Sequence, residues 1–149
     1  PEMGKLWLER GNVFVNANYT FVDSKITLLP EQLGVQTSSQ RPLAGQSKNL
    51  FNLTGEFAMK GFTTRLLFNY FGDRISDVGA NEAPDITEQG RGSLDLVFGQ
   101  RIKGLGIRLT LENLTNSDYL FTQTLTTPET QRLYKLGRTV VLSLGYNVF

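Results

Sequence analysis

Val13-Phe14-Val15-Asn16-Ala17-Asn18-Tyr19-Thr20-Phe21 is the stretch on which the fold turns. Its odd positions read Val13, Val15, Ala17, Tyr19 and Phe21; its even positions read Phe14, Asn16, Asn18 and Thr20. Successive side chains of a β-strand point to opposite faces, so this segment has one apolar face and one mostly polar face.

Working outward, the same period of two returns five times. Phe51, Leu53, Gly55 and Phe57 alternate with Asn52, Thr54 and Glu56, and Leu66, Phe68 and Tyr70 with Arg65, Leu67 and Asn69. Leu94, Leu96 and Phe98 alternate with Asp95, Val97 and Gly99. Ile107, Leu109 and Leu111 alternate with Arg108, Thr110 and Glu112. Val140, Leu142, Leu144, Tyr146 and Val148 alternate with Val141, Ser143, Gly145 and Asn147. Strands are expected near residues 13–26, 48–58, 63–75, 88–102, 105–115 and 134–148, with a strand stub at Leu6 to Leu8. No segment has a helical period.

The connections alternate in length. Arg10-Gly11-Asn12, Met59-Lys60-Gly61 and Lys103-Gly104 are tight, each with a glycine that tolerates the positive φ of a hairpin turn. The others, near residues 25–47, 73–88 and 115–134, are long and polar. Short turns on one side and long loops on the other are what a transmembrane β-barrel predicts. A soluble β-sandwich also has alternating strands. These strands, however, exceed the usual five or six residues, and their polar faces carry charges at mid-strand. The expected fold class is all-β: an antiparallel up-and-down meander forming part of a large transmembrane barrel.

Composition narrows the function. The 149 residues carry 15 Lys and Arg against 14 Asp and Glu, for a net charge of +1, with no basic run. Nucleic acid is therefore not an expected partner. The chain has no His and no Cys, which removes zinc sites, thiol chemistry, disulfides and the commonest general base. No Ser sits in a nucleophile motif, and no paired-carboxylate pocket is signalled. The reading is not an enzyme, with no catalytic residue, cofactor or metal. Mean hydropathy is −0.20, which does not argue against barrel strands, because their two faces average out. A barrel protein must be exported, so an export signal is expected upstream of Pro1 or processed away.

Five stretches in order resemble the C-terminal barrel region of TonB-dependent outer-membrane receptors. They are Asn18-Tyr19-Thr20-Phe21-Val22-Asp23-Ser24; Arg41-Pro42-Leu43-Ala44-Gly45-Gln46-Ser47 ahead of Leu50-Phe51-Asn52-Leu53; and Asn69-Tyr70-Phe71-Gly72-Asp73-Arg74-Ile75. Glu112-Asn113-Leu114-Thr115-Asn116 with Tyr119 is similar to the family's penultimate-strand motif. Gly137-Arg138-Thr139, leading to Phe149, is similar to its last strand. In one respect the chain departs: Val148 holds the register of the terminal aromatic and Phe149 lies one beyond it, through a bulge or an atypical end.

The resemblance implies a barrel of roughly 22 strands with a plug domain in its lumen. It implies uptake of a scarce nutrient, such as a ferric siderophore or cobalamin, powered from the inner membrane. The expected partners are outer-membrane lipid, the rest of the barrel, the plug, and the inner-membrane energy-coupling complex through a region this chain lacks. The expected location is the bacterial outer membrane. A small self-contained barrel with an adhesin or structural role is the alternative.

Within that frame Asn52, Glu56, Arg65, Asn69, Asp95, Arg108 and Glu112 share the lumen-facing parity. They are candidates for contacts with plug or substrate, or for pairing along the wall. Leu53, Leu66, Phe68, Leu96, Leu109 and Leu142 share the lipid-facing parity. Asn113 shares it too, at a strand end where the interface or a bulge accommodates it. Tyr19, Phe21, Tyr70, Tyr119 and Phe121 at the loop side, with Tyr146 and Phe149 at the other, suit interfacial aromatic girdles. Asp73, Asp77, Glu82, Asp85 and Glu88 cluster at the second loop, as a calcium site or a solvated acidic loop. Arg41 and Arg138 are candidates for lipopolysaccharide phosphates, or are simply solvated.

Overall fold

The structure, a computed structural model, describes residues 11–146. The stub at Leu6 to Leu8, Arg10, and the register question at Val148 and Phe149 lie outside the described residues. Six long strands carry the fold: β1 (Asn12–Phe21), β4 (Asn49–Met59), β5 (Phe62–Phe71), β8 (Arg91–Ile102), β9 (Leu105–Glu112) and β12 (Thr139–Tyr146). They form one antiparallel sheet in the order β1-β4-β5-β8-β9-β12, each long strand beside the long strand before it. The fold is an all-β antiparallel meander.

Register follows from the two tight turns. Lys60 and Gly61 have φ of 43° and 80°, Lys103 and Gly104 of 44° and 86°. Positive φ at both central residues twists a two-residue hairpin in the hand its strands require. Met59 then opposes Phe62, and Ile102 opposes Leu105. Because strand parity has a period of two, these pairings fix which residues share a face. Val15, Gly55, Leu66, Leu96, Leu111 and Val140 align in one row across all six strands. Val13, Phe57, Thr64, Phe98, Leu109 and Leu142 form the next. The opposite face carries Phe14, Glu56, Arg65, Val97, Thr110 and Val141 in one row, and Asn18, Asn52, Asn69 and Ser93 in another.

The connections expected to be plain loops are not. The first contains β2 (Ile26–Thr27) paired with β3 (Gln40–Arg41), and a single helical turn, α1 (Pro30–Leu33), begun at a proline. The second contains β6 (Arg74–Asp77) and β7 (Ile86–Glu88). The third contains β10 (Tyr119–Thr124) and β11 (Pro128–Tyr134). The last four make a second sheet, in the order β11-β10-β7-β6. Several long-strand ends shift accordingly. The first strand ends at Phe21 rather than 26, the fifth at Glu112 rather than 115, and the sixth starts at Thr139 rather than 134. The stretches 63–75 and 88–102 each divide between two sheets, because Gly72 and Gly90 break the run.

Burial separates the two sheets. On the apolar face of the large sheet Val15, Leu142 and Leu144 are 65%, 62% and 67% exposed. Among the described residues the one buried large hydrophobic side chain is Phe121, in the second sheet. Among the described residues no second layer packs on that face, so the large sheet has no core of its own there. No ladder joins β1 to β12 among the described residues, so the sheet has two edges.

Candidate functional site

The polar face of the large sheet and the second sheet meet where β5 runs into β6 and β7 into β8. Glu88 ends β7 opposite both Arg74 on β6 and Phe121 on β10. Its carboxylate accepts from Arg74 Nε at 2.6 Å and, through the other oxygen, from Arg91 Nη1. Burial alone would favour the neutral acid. The two guanidinium hydrogen bonds and their charges outweigh it and hold the Glu88 carboxyl below the usual glutamate range.

Aromatic rings enclose this triad. Arg91 lies 4.4 Å from the Phe71 ring centroid and 3.4 Å from that of Tyr119; Arg74 lies 4.6 Å from Phe71. Tyr119 stacks on Tyr134 at 4.8 Å, and Arg132 covers Phe121 at 4.3 Å while pairing with Asp77 at 2.8 Å. Guanidinium planes over rings are favourable as cation–π contacts, more so when water is partly excluded. The result is a wall of arginine and aromatic surface continuous with the polar face. Its three arginines are paired with Glu88 and Asp77. Tyr119 and Phe121, expected to suit an interfacial girdle, lie on β10 of the second sheet, where Tyr119 stacks on Tyr134 and Phe121 is buried. Sequence reading placed Glu88 in the acidic loop but missed its partners Arg74 and Arg91, and with them the neighbouring Phe71, Arg132 and Tyr134. The available signal was a short period of two in Tyr119-Leu120-Phe121 and in Arg132-Leu133-Tyr134.

The lumen-parity candidates separate into groups. Glu56 and Arg65 face each other and pair, with Arg65 Nε and Nη2 at 2.8 and 2.6 Å from Glu56 Oε2. Asn52 and Asn69 sit side by side in the asparagine row, both exposed. Asp95 accepts from the Asn113 backbone N–H at 2.7 Å, so its carboxylate caps the end of β9. Glu112 opposes Thr139 on β12. Arg108 lies far down the face, near the tight turns, and is brought together with none of the others.

The motif residues have a shared structural job. Asn113 adopts φ 55°, a left-handed conformation asparagine tolerates better than most residues, and this answers its lipid-side parity. Its side-chain amide donates to the Gly137 carbonyl. Arg138 Nε donates to the Leu114 carbonyl at 2.9 Å, and the Leu114 N–H donates to Leu94 O at 2.8 Å. Together these bonds tie the ends of β8, β9 and β12 into one corner. Arg138 is thus engaged with the backbone. Arg41 Nη2 donates to Gln36 Oε1 at 2.8 Å.

The acidic loop is likewise used internally. Asp73 accepts from Gly90 N–H at 2.6 Å, Asp85 from Gly79 N–H at 2.7 Å, and Asp77 pairs with Arg132. Among the described residues no three acidic side chains are grouped to hold a metal ion.

No family model, curated protein or solved structure matches this chain. The reading of its function rests on geometry and on the motifs.

Proposed function

We propose that this chain is the C-terminal barrel region of a TonB-dependent receptor in the bacterial outer membrane. In that role it contributes wall and outer loops to active uptake of a scarce nutrient, such as a ferric siderophore or cobalamin. The rest of the barrel and a plug domain complete the receptor, and an inner-membrane complex energises it. The role is binding and transport rather than catalysis.

One observation carries the reading. The large sheet carries a mostly apolar face across six strands, exposed on the edge strands β1 and β12 and half-buried between them, while its other face holds asparagines, a Glu56–Arg65 pair and further charges. Among the described residues no second layer covers this face, and hydrocarbon suits it better than water. The six strands of 8 to 12 residues rise about 27–41 Å, or about 19–29 Å along the membrane normal at the roughly 45° tilt of barrel strands, against an apolar band of about 25 Å. Two-residue turns at one end and folded loops at the other suit a periplasmic and an outer side. The edges at β1 and β12 call for further strands, since unpaired backbone in hydrocarbon costs several kcal/mol per group.

This chain holds no cysteine, so it contributes no thiol of its own to the test. Single cysteines at Leu109, Thr110 and Leu111 are introduced into the receptor, folded in lipid, and challenged with a water-soluble maleimide. Positions 109 and 111 should be protected and position 110 should react. Equal reactivity at all three would overturn the membrane reading. Loss of growth on a siderophore-bound iron or cobalamin source when the gene is deleted tests the uptake role separately.

A further inference from the structure

The polar face changes character near the tight turns. There Thr63, Gly99, Arg108 and Ser143 align in one row, and Arg101, Gly106 and Gly145 in the next. A Cβ at Gly145 would meet nothing within 4 Å, and one at Gly106 only the Gly145 carbonyl oxygen, at 3.7 Å. Neither glycine has a positive φ. No neighbour and no turn requires them, although glycine weakens a strand interior. Their effect is a hollow of about 490 Å³ with bare backbone as its floor.

Charge singles out the same place. Arg101 and Arg108 border the hollow, both exposed, and neither joins an ion pair among the described residues. Segments 57–64, 96–111 and 139–146, which build this end of the sheet, contain Lys60, Arg101, Lys103 and Arg108 and no carboxylate. At the loop end, by contrast, arginines and carboxylates neutralise one another.

We propose that this hollow docks an extended polypeptide segment bearing carboxylates at alternate positions. Glycine within a strand lets another backbone approach closely, which a free anion would not need. Arginine presents a planar fork that matches a carboxylate in two hydrogen bonds. Arg101 opposes Gly106, two residues from Arg108, so the pair are diagonal neighbours roughly 7–8 Å apart. Side chains at i and i+2 of an extended chain lie on one face about 6.8 Å apart, close to that spacing. The docked segment lays its backbone over Gly106 and Gly145 and directs its two carboxylates to the two guanidiniums. This goes beyond the receptor reading and does not rest on it, because the opposite face of the sheet is not involved.

The test uses the full chain in detergent micelles and a labelled glycine-rich peptide with two glutamates at alternate positions, read by fluorescence anisotropy. Binding should weaken with salt and fall about tenfold in Arg101→Gln or Arg108→Gln, as for the loss of one charged hydrogen-bonded pair. Gly145→Val should block binding with every charge in place; Gly145→Ala, which adds one methyl, should weaken it should the valine variant not fold. A peptide with adjacent glutamates should bind less well. Unchanged binding in both Gly145 variants would reduce the hollow to a diffuse cationic surface and overturn the proposal. Absence of binding to the folded wild type, or equal competition by inorganic phosphate or phosphatidylglycerol vesicles, would overturn it too.

Discussion

The large sheet and the smaller sheet β11-β10-β7-β6 are both antiparallel, yet they are held in opposite ways. In the large sheet each strand is laddered to its neighbours, while the valines and leucines of one face are exposed on β1 and β12 and half-buried between them. In the small sheet side chains close on one another: Glu88 is buried between two arginines, and Phe121 lies beneath Arg132. Hydrophobic burial is the dominant favourable contribution to folding, and the large sheet has not yet collected it. On the proposed reading, its stability depends on the surrounding hydrocarbon. The small sheet draws instead on polar and cation–π contacts that work beside water.

The most forceful way to break this contrast is to place a charge on the free face. Leu109→Arg should cost about 2–4 kcal/mol if that residue sits near mid-bilayer. Thr110→Arg, one residue away on the polar face, should cost far less. Urea titration of the lipid-folded protein measures both. The reverse order would mean that the faces are exchanged.

Next in size is removal of the small sheet's central carboxylate. Glu88→Ala leaves Arg74 and Arg91 facing each other without their shared anion. The cost should be about 1–3 kcal/mol, below that of a fully buried pair because Arg74 keeps a third of its side chain exposed. Hydrogen exchange should accelerate in β7 and β10 while β4, β5 and β9 stay protected. Uniform acceleration would show that the two sheets are one cooperative unit.

How much of this was legible follows from the same physics. A ten-residue strand repeats its parity five times, so β1 and its five long companions were readable from alternation, and Lys60-Gly61 and Lys103-Gly104 fixed their partners. Strands of three to seven residues repeat it too few times. β7 is Ile86-Thr87-Glu88, and β11 is polar and wholly exposed, so neither rises above a loop in composition. The wall of Phe71, Arg74, Arg91 and Tyr119 was hidden because its members come from the ends of two long strands and from two separate connections, and meet only through pairing. The motif Asn113-Leu114 was found as a pattern, but its work was invisible. It lies in hydrogen bonds to Gly137, Arg138 and Leu94, far along the chain.

That corner gives a smaller test. Asn113→Ala removes the amide bonded to Gly137 O and puts alanine at φ 55°, which together should cost about 1–2 kcal/mol. Asn113→Gly keeps the backbone conformation and loses the bond alone, so it should cost less. Equal losses would place the whole effect in the hydrogen bond and none in the backbone.

The smallest effect is expected from acid. The folded-state pKa of Glu88 lies below its ordinary value of 4.5, so its contribution to stability is fully present above that pH. It is lost progressively as pH falls from about 4.5 through the lower folded value. Protonation removes the negative charge but leaves oxygen atoms that still accept from Arg74 and Arg91, so the loss should be smaller than in Glu88→Ala. Hydrogen exchange at β7 and β10, corrected for the intrinsic pH dependence, should rise over this window while the large sheet changes little. Glu88→Gln, which cannot titrate, should flatten the response of the small sheet. A large-sheet response as steep as that of the small sheet, or a full response in Glu88→Gln, would locate the acid-sensitive group elsewhere. The contrast between a sheet held by charge and a sheet held by its surroundings would then fail.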